Sequence, residues 1–481
     1  MENSPNIAIE PPDSRGLRQV SADGEIVGSA WSLNGARRIL RGLGYPRDIN
    51  MEDEALISWR GGDSKTWPDH SSRRRATIAF MMAGLIASMA LVVTIGMPDA
   101  LRGLTFAGRV TGFLFVFAGL IQGLAASAVL DHWGKRRVRF SGAVVLLGAL
   151  IAVAINSLLL LLWLQELEYT PYILAYAPLW CWSLGALWLL VREKTWMGIP
   201  HPRSFAAGIT ATAVIAGANL TYSSIYQPAS QPMLVSLEAR FGKPALDSRT
   251  SFIDLPLILH ARNKGKVPAY IISNDYSVYG HIAKLSEVSS GLKDTKGVME
   301  NESGASRYTD EPENETINAG QFISPGWPLD PGEEYTAQKM IHIPLTAKYD
   351  TLEVYSSLTL MRKDRGRINE WEFPYPHLSW EKDEGRFYCP PDSCGESLIY
   401  HGEVQHNNNI INVTRRPRYV TSWWSLTPED SSTETNISSF SFQPKDAIDM
   451  TEMRREMDRY GVANVYAEVL IPFAELNGLA N

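Results

Sequence analysis

The sequence predicts a polytopic α-helical membrane protein with five transmembrane helices and a C-terminal, mainly β, sandwich-like extracytoplasmic domain. Three observations carry this expectation: five long uncharged stretches, connecting loops whose positive charge alternates, and a change to short apolar runs after residue 226. Mean hydropathy over the 481 residues is −0.12, an average that hides a strong segregation. Residues 1–72 carry a net charge of −3, residues 73–226 a net +7 and residues 227–481 a net −11. The acidic C-terminal half repels phosphate backbones, so nucleic acid is excluded as an expected partner.

A bilayer-spanning helix needs about 20 predominantly apolar residues, because backbone polar groups must be satisfied internally in lipid. Ala76–Met97, Val110–Leu130, Phe140–Leu164, Pro171–Val191 and Phe205–Tyr226 meet that requirement. The first begins too far into the chain to read as a cleavable signal peptide. Arg73, Arg74 and Arg75 precede the first span, and Lys135, Arg136, Arg137 and Arg139 join the second to the third. Arg192, Lys194 and Arg203 accompany the link from fourth to fifth. The other two connections hold only Arg102 and Arg109, both near enough to a helix end to snorkel. Short Lys/Arg-rich loops remain cytoplasmic, which predicts an internal N-terminus and an external residue 227 onward. The expected divisions are a cytoplasmic region over 1–75, a bundle over 76–226 and an external domain over 227–481, in the cell membrane.

The stretch "WRGGDSKTWPDHSSRRR" (Trp59–Arg75) begins like a phosphate-binding loop. Its glycines are adjacent, no Gly precedes Lys65, and Trp67-Pro68 follow, so backbone N–H groups cannot ring a phosphate. It marks the membrane boundary. Within the spans no ionisable residue falls at mid-depth: Asp131, His132, Glu166, Glu168 and Arg192 sit at the interfaces. Gln122, Asn156 and Asn219 are expected to hydrogen-bond between helices rather than line a transport path. Gly119 and Gly123 form a GxxxG step for close helix packing. Pro178 predicts a kink in the fourth span, and Cys181 lies inside that span, where it is expected to be inert.

Residues 1–31, rich in Pro, Ser, Gly and Asp, read as flexible. Asn34–Tyr45 reads as a short amphipathic helix capped by Asn34 and stopped at Gly44. Its Arg37, Arg38 and Arg41 either meet lipid headgroups or stay solvated. In the external domain, "FIDLPLILHARNKGKVPAYIISNDYSVYG" holds two strands around a turn. "AQKMIHIPL", "DTLEVYSSLTLMRKD", "RYVTSWWSL" and "NVYAEVLIPF" continue the pattern. "QPKDAIDMTEMRREMDRYG" is the one helix, with Met450, Met453 and Met457 on a face, while the polar run 290–320 reads as a loop.

Cys389 and Cys394 are expected to pair as a disulfide in an oxidising compartment. The alternatives are free thiols or a zinc set of Cys389, Cys394, His401 and His406, spaced C-x4-C-x6-H-x4-H. No H-E-x-x-H, G-x-S-x-G or C-x-x-C motif occurs, and no cofactor or catalytic residue is implied. Trp371–Trp380 and Trp423-Trp424 are aromatic enough to stack on carbohydrate or peptide, or to pack in a core. Asn301, Asn314, Asn412 and Asn436 stand in glycosylation sequons that matter only in a eukaryotic secretory pathway. With over half the chain outside and no chemistry in the bundle, the expected role is presentation of an external binding domain to an envelope polymer or a membrane protein. The alternatives are a membrane enzyme with its site at the bundle–domain junction and an accessory subunit of a transporter.

Overall fold

The structure, a computed structural model, describes residues 7–13, 16–46, 49–53, 56–61, 64, 71–134, 138, 140–193, 195, 208, 232–246, 251–282, 313–380, 396–426, 431–439 and 450–474. It separates into two units: residues 1–220 with 408–415, and residues 221–407 with 416–481. Helices and strands are numbered in chain order.

The first unit opens with β1 (Ile7–Ile9), β2 (Arg18–Ala22), β3 (Glu25–Ala30) and β4 (Ile57–Trp59), ordered β3-β2-β1-β4. Helix α1 (Leu33–Gly42) buries Ala36 and Leu40 against Ile7, Ile9, Val20 and Ile57. The segment expected to be flexible therefore contributes three strands, whose Ile7, Ile9, Val20 and Ala30 face this small core while Ile26 and Val27 stay exposed. The helix cap is Ser32 rather than Asn34: its backbone is extended, and its Oγ accepts from the Gly35 N–H at 3.2 Å.

Helices α2 (Ser71–Arg102), α3 (Phe106–His132), α4 (Ser141–Glu166) and α5 (Ile173–Arg192) are long and apolar enough to cross a membrane. They cover the first four expected spans. The fifth, Phe205–Tyr226, lies outside the described residues except for Gly208. Where α2 begins and α3 ends, Trp31 Nε1 donates to the Gly134 carbonyl at 2.6 Å and the Arg74 guanidinium lies 4.9 Å over the Trp31 ring.

At the opposite end of the bundle sits α6 (Asn409–Thr414), which follows the first unit in packing but not in sequence. Ile410 and Val413 fill a core with Val92, Ile95, Phe115, Leu159 and Tyr176. A helix leaves N–H groups bare at its start and carbonyls bare at its end. Here the bundle supplies partners for both. The Asn409 N–H donates to both Asp99 carboxylate oxygens at 3.0 Å, while Thr170 Oγ1 and Tyr176 Oη each donate to the Val413 carbonyl at 3.1 Å. Pro98 disrupts the last turn of α2, and there the Asn409 side chain donates to the Ile95 carbonyl at 2.9 Å.

The second unit is mainly β. One sheet holds β5 (Val235–Phe241), β6 (Ala245–Leu246), β7 (Phe252–Asn263) and β11 (Glu334–Pro344), with β11 and β5 flanking β7. A second holds β8 (Ala269–Ile282), β9 (Glu313–Gly320), β10 (Pro328–Leu329), β12 (Thr351–Arg362) and β18 (Ala463–Pro472), ordered β10-β8-β12-β18 with β9 also on β8. Ile253, Leu255, Leu257 and Leu259 of β7 alternate inward to meet Leu352, Val354, Leu358 and Leu360 of β12. This is the larger core. A third sheet comprises β13 (Gly366–Ile368), β14 (His377–Leu378), β15 (Ser397–His406), β16 (Arg418–Leu426) and β17 (Ser431–Ser438). It joins α7 (Met450–Tyr460) around Tyr270, Ile272, Met361, Phe373, Tyr400, Val420 and Tyr460. The polar stretch expected to be loop thus contributes β9, an edge strand held by backbone pairing to β8, with Ile317 packed against the larger core.

Candidate functional site

The pleat of the second sheet decides where its polar residues go. On β12, the set Leu352, Val354, Leu358, Leu360 faces the core, so Glu353, Tyr355, Ser357 and Thr359 face outward. Register places Tyr279, Ser277 and Asp275 of β8 opposite Glu353, Tyr355 and Ser357, and Glu468, Tyr466 and Asn464 of β18 opposite Tyr355, Ser357 and Thr359. One end of this outer face lies under the third sheet, against Tyr270 and Met361. The seam then turns polar: Ser273 meets Thr435 at 3.2 Å and Ser357 meets Thr433 at 3.4 Å. Beyond the seam the two layers part. A cleft of about 450 Å³ opens there, floored by the outer face of β8, β12 and β18 and walled by Ser432 and Thr433.

Inside the cleft Asp275 is almost wholly buried and accepts from Ser357 Oγ. Tyr355 and Tyr466 lie side by side, ring centroids 5.9 Å apart and planes inclined by 31°. Tyr466 is 55% exposed, so one ring of the pair is open to a ligand. Glu353 is steadied by His281 Nε2 at 2.6 Å, and His281 Nδ1 lies 2.6 Å from Asn314 Oδ1. This assembly can exchange hydrogen bonds and offer an aromatic surface at once.

The residues singled out from sequence lie elsewhere. Cys389 and Cys394 fall outside the described residues, as do Lys135, Arg136, Arg137, Arg139, Asn301 and Asn219. His401 and His406 do not converge as a zinc pair. Five residues apart on one strand of unbroken register, they point to opposite faces. His401 stacks on Tyr419 at 5.2 Å with Nδ1 2.8 Å from Thr421 Oγ1, whereas His406 meets Tyr460 edge-on. Among the described residues no group of three or more His, Cys, Asp or Glu can hold a metal ion. Arg73, Arg74 and Arg75 occupy the first turns of α2. Gly119 and Gly123 of α3 face α2, where a Cβ would come within 2.6 Å of Val93 Cγ2 and 2.8 Å of Met89 Sδ respectively. Asn156 Nδ2 donates across to the Leu179 carbonyl at 3.4 Å, but buried Gln122 has no protein partner among the described residues. Cys181 lies within α5 as a free thiol exposed on the helix surface. Trp371 projects outward at 86% exposure beside fully buried Phe373. Asn436 is buried in β17, leaving no room for a glycan.

Burial, reinforced by nearby His377, pushes the His401 imidazole down from 6.5 to about 4. The folded chain therefore keeps this ring neutral while the unfolded chain takes up a proton below pH 6.5. Stability present above that pH is lost as it falls toward 4, by up to roughly 3 kcal/mol for this group. Thermal unfolding of the full chain across pH 7.5 to 4.5 should show the loss, and His401→Gln should flatten it. An unchanged slope in that variant would remove His401 as the cause.

No protein-family model matches the chain, and no curated protein matches it. Among solved structures it is similar to a protein described as ApaA from Bordetella pertussis, at 12% identity over 28% of this chain and 82% of the other, with a TM-score of 0.16. It is also similar to Spo0M, a sporulation control protein from Bacillus subtilis, at 10% identity over 51% of this chain and 93% of the other, with a TM-score of 0.17. Likenesses at such TM-scores bear on neither fold nor function.

Proposed function

We propose that the chain is a multi-pass protein of the cell membrane that displays residues 227–481 on the extracytoplasmic side as a binding domain. The observation that carries this reading is the seat of α6. Its partners Ile95, Asp99, Thr170 and Tyr176 belong to the last turns of α2 and the start of α5. Those ends flank the connections poorest in Lys and Arg, which belong outside, while the Arg-rich ends lie with Trp31 and Arg74. Helix α5 finishes at Arg192 on the Arg-rich side. The chain must cross once more before residue 408 to bring α6 to the outer ends, and Phe205–Tyr226 is the only uncharged stretch long enough between them. Connectivity thus supports a fifth span independently of loop charge.

The cleft supports binding over catalysis. Among the described residues Ser357 Oγ meets Asp275 and Thr433 and no imidazole, so the Ser–His pairing of acyl-transfer sites is not formed there. An envelope polymer or another membrane protein is the partner class this placement favours. Protease treatment of intact cells, with separate tags on the two termini, tests the arrangement. The C-terminal tag should disappear and the N-terminal tag survive; a protected C-terminal tag would overturn it.

A further inference from the structure

We propose that the outer-face cleft of the second unit binds a neutral carbohydrate, an inference that rests on the display reading and gives it a ligand class. Sugars present two chemistries together: C–H faces that pack on aromatic rings, and hydroxyls that each donate and accept a hydrogen bond. The cleft offers both within one strand register. Tyr355 and Tyr466 form a paired aromatic surface, and Tyr466 is open to solvent. Around them stand Thr359, Ser432, Thr433 and Asn464, able to donate as well as accept.

The floor is built rather than incidental. Asp275 is buried with Ser357 donating to it, and Ser357 also meets Thr433 of the cleft wall, so the polar groups of the floor are held in place before a ligand arrives. The volume, about 450 Å³, falls within the range of roughly 300–1,000 Å³ typical of small-ligand sites.

Charge narrows the class. Asp275, Glu353 and Glu468 make this face acidic, and the neighbouring imidazole of His281 is already engaged by Glu353. An anionic polymer would be repelled. A polyamine needs acceptors alone, and the hydroxyl donors lining this cleft would then go unmatched. A neutral sugar uses both sets, with the carboxylates accepting from its hydroxyls.

The test uses the full chain in lipid nanodiscs, free of glycoside detergent, applied to a broad array of neutral oligosaccharides with spermidine and heparin hexasaccharide as charged controls. At least one neutral glycan should bind, and Tyr466→Ala should weaken it at least tenfold while Tyr466→Phe retains it. Because Tyr466 is exposed, its replacement spares the core. Absence of binding to every neutral glycan, binding that ignores Tyr466→Ala, or binding of spermidine in their place would each overturn the inference. A chain whose C-terminal tag is shaved from cells yet binds no glycan removes this inference alone. A protected C-terminal tag removes the reading beneath it.

Discussion

Replacing Arg418 with methionine is expected to cost about 3–5 kcal/mol of stability, the penalty for leaving a buried charge without its partner. The Arg418 and Glu456 side chains are both fully buried, with Nε 3.4 Å from Oε2. Arg418 also donates to the Arg416 carbonyl, and Glu456 accepts from Arg459 at 2.8 Å. Methionine fills much of the arginine's volume, so the loss reports charge rather than a cavity. Glu456→Met should cost a similar amount. The double variant Arg418→Met/Glu456→Met removes both charges, frees Arg459 to reach solvent, and should recover most of the stability. Urea unfolding of the four proteins in one lipid or detergent condition measures the cycle. Additive losses in the double variant would mean that the two residues do not act as a pair.

Gly112→Ala is expected to disrupt the bundle, whereas Gly185→Ala is expected to leave it intact. A Cβ on Gly112 would land on the Ala100 backbone nitrogen and within 2.8 Å of Ala100 Cα and 2.7 Å of the Asp99 carbonyl carbon. Backbone cannot rotate away as a side chain can, so α2 and α3 must separate. The cost should reach or exceed the upper end of the roughly 1–3 kcal/mol seen for overpacked cores. A Cβ on Gly185 has Phe80 Cζ as its nearest neighbour, at 3.8 Å, and alanine there should gain up to about 1 kcal/mol of helix propensity. Monodispersity on size-exclusion chromatography and melting temperature should separate the two variants widely. Equal behaviour would mean that the helices approach less closely at Gly112.

What the sequence makes legible follows from which force dominates each segment. Helices α2 to α5 are legible because each is an unbroken apolar run long enough to cross a membrane, a length and composition that few other structures share. Strands β7 and β11 are legible because each alternates over many residues, and β8 and β12 because long runs rich in β-branched and aromatic residues end at turns. The N-terminal sheet escapes notice because its strands are only three to six residues long and bury isolated pairs such as Ile7 and Ile9. Helix α7 is legible from its methionine spacing, and Met457 packs against the core, but the fully buried residues are Glu456 and Tyr460 while Met450 is half exposed. A distant arginine permits that, and periodicity has no access to it. The cleft is hidden for a related reason. Alternation in β12 identifies a polar face, but only the placement of β17 shows that part of this face is roofed and part open. Asp99 and α6 are the hardest to see, since "NIINVT" is six residues that read as loop until their partners 310 positions earlier are known.

That separation sets a timetable for biosynthesis. At about 5–20 residues per second, the ribosome makes Asn409 roughly 15–60 s after Asp99. For that interval helices α2 to α5 exist without the segment that occupies the Asp99 carboxylate, the Ile95 carbonyl and the hydroxyls of Thr170 and Tyr176. The bundle can therefore complete its packing only after most of the C-terminal chain has been made and has delivered residues 408–415. A chain that stalls or misfolds before that point presents an unfilled polar notch beside Asp99, Thr170 and Tyr176, which distinguishes unfinished molecules from finished ones.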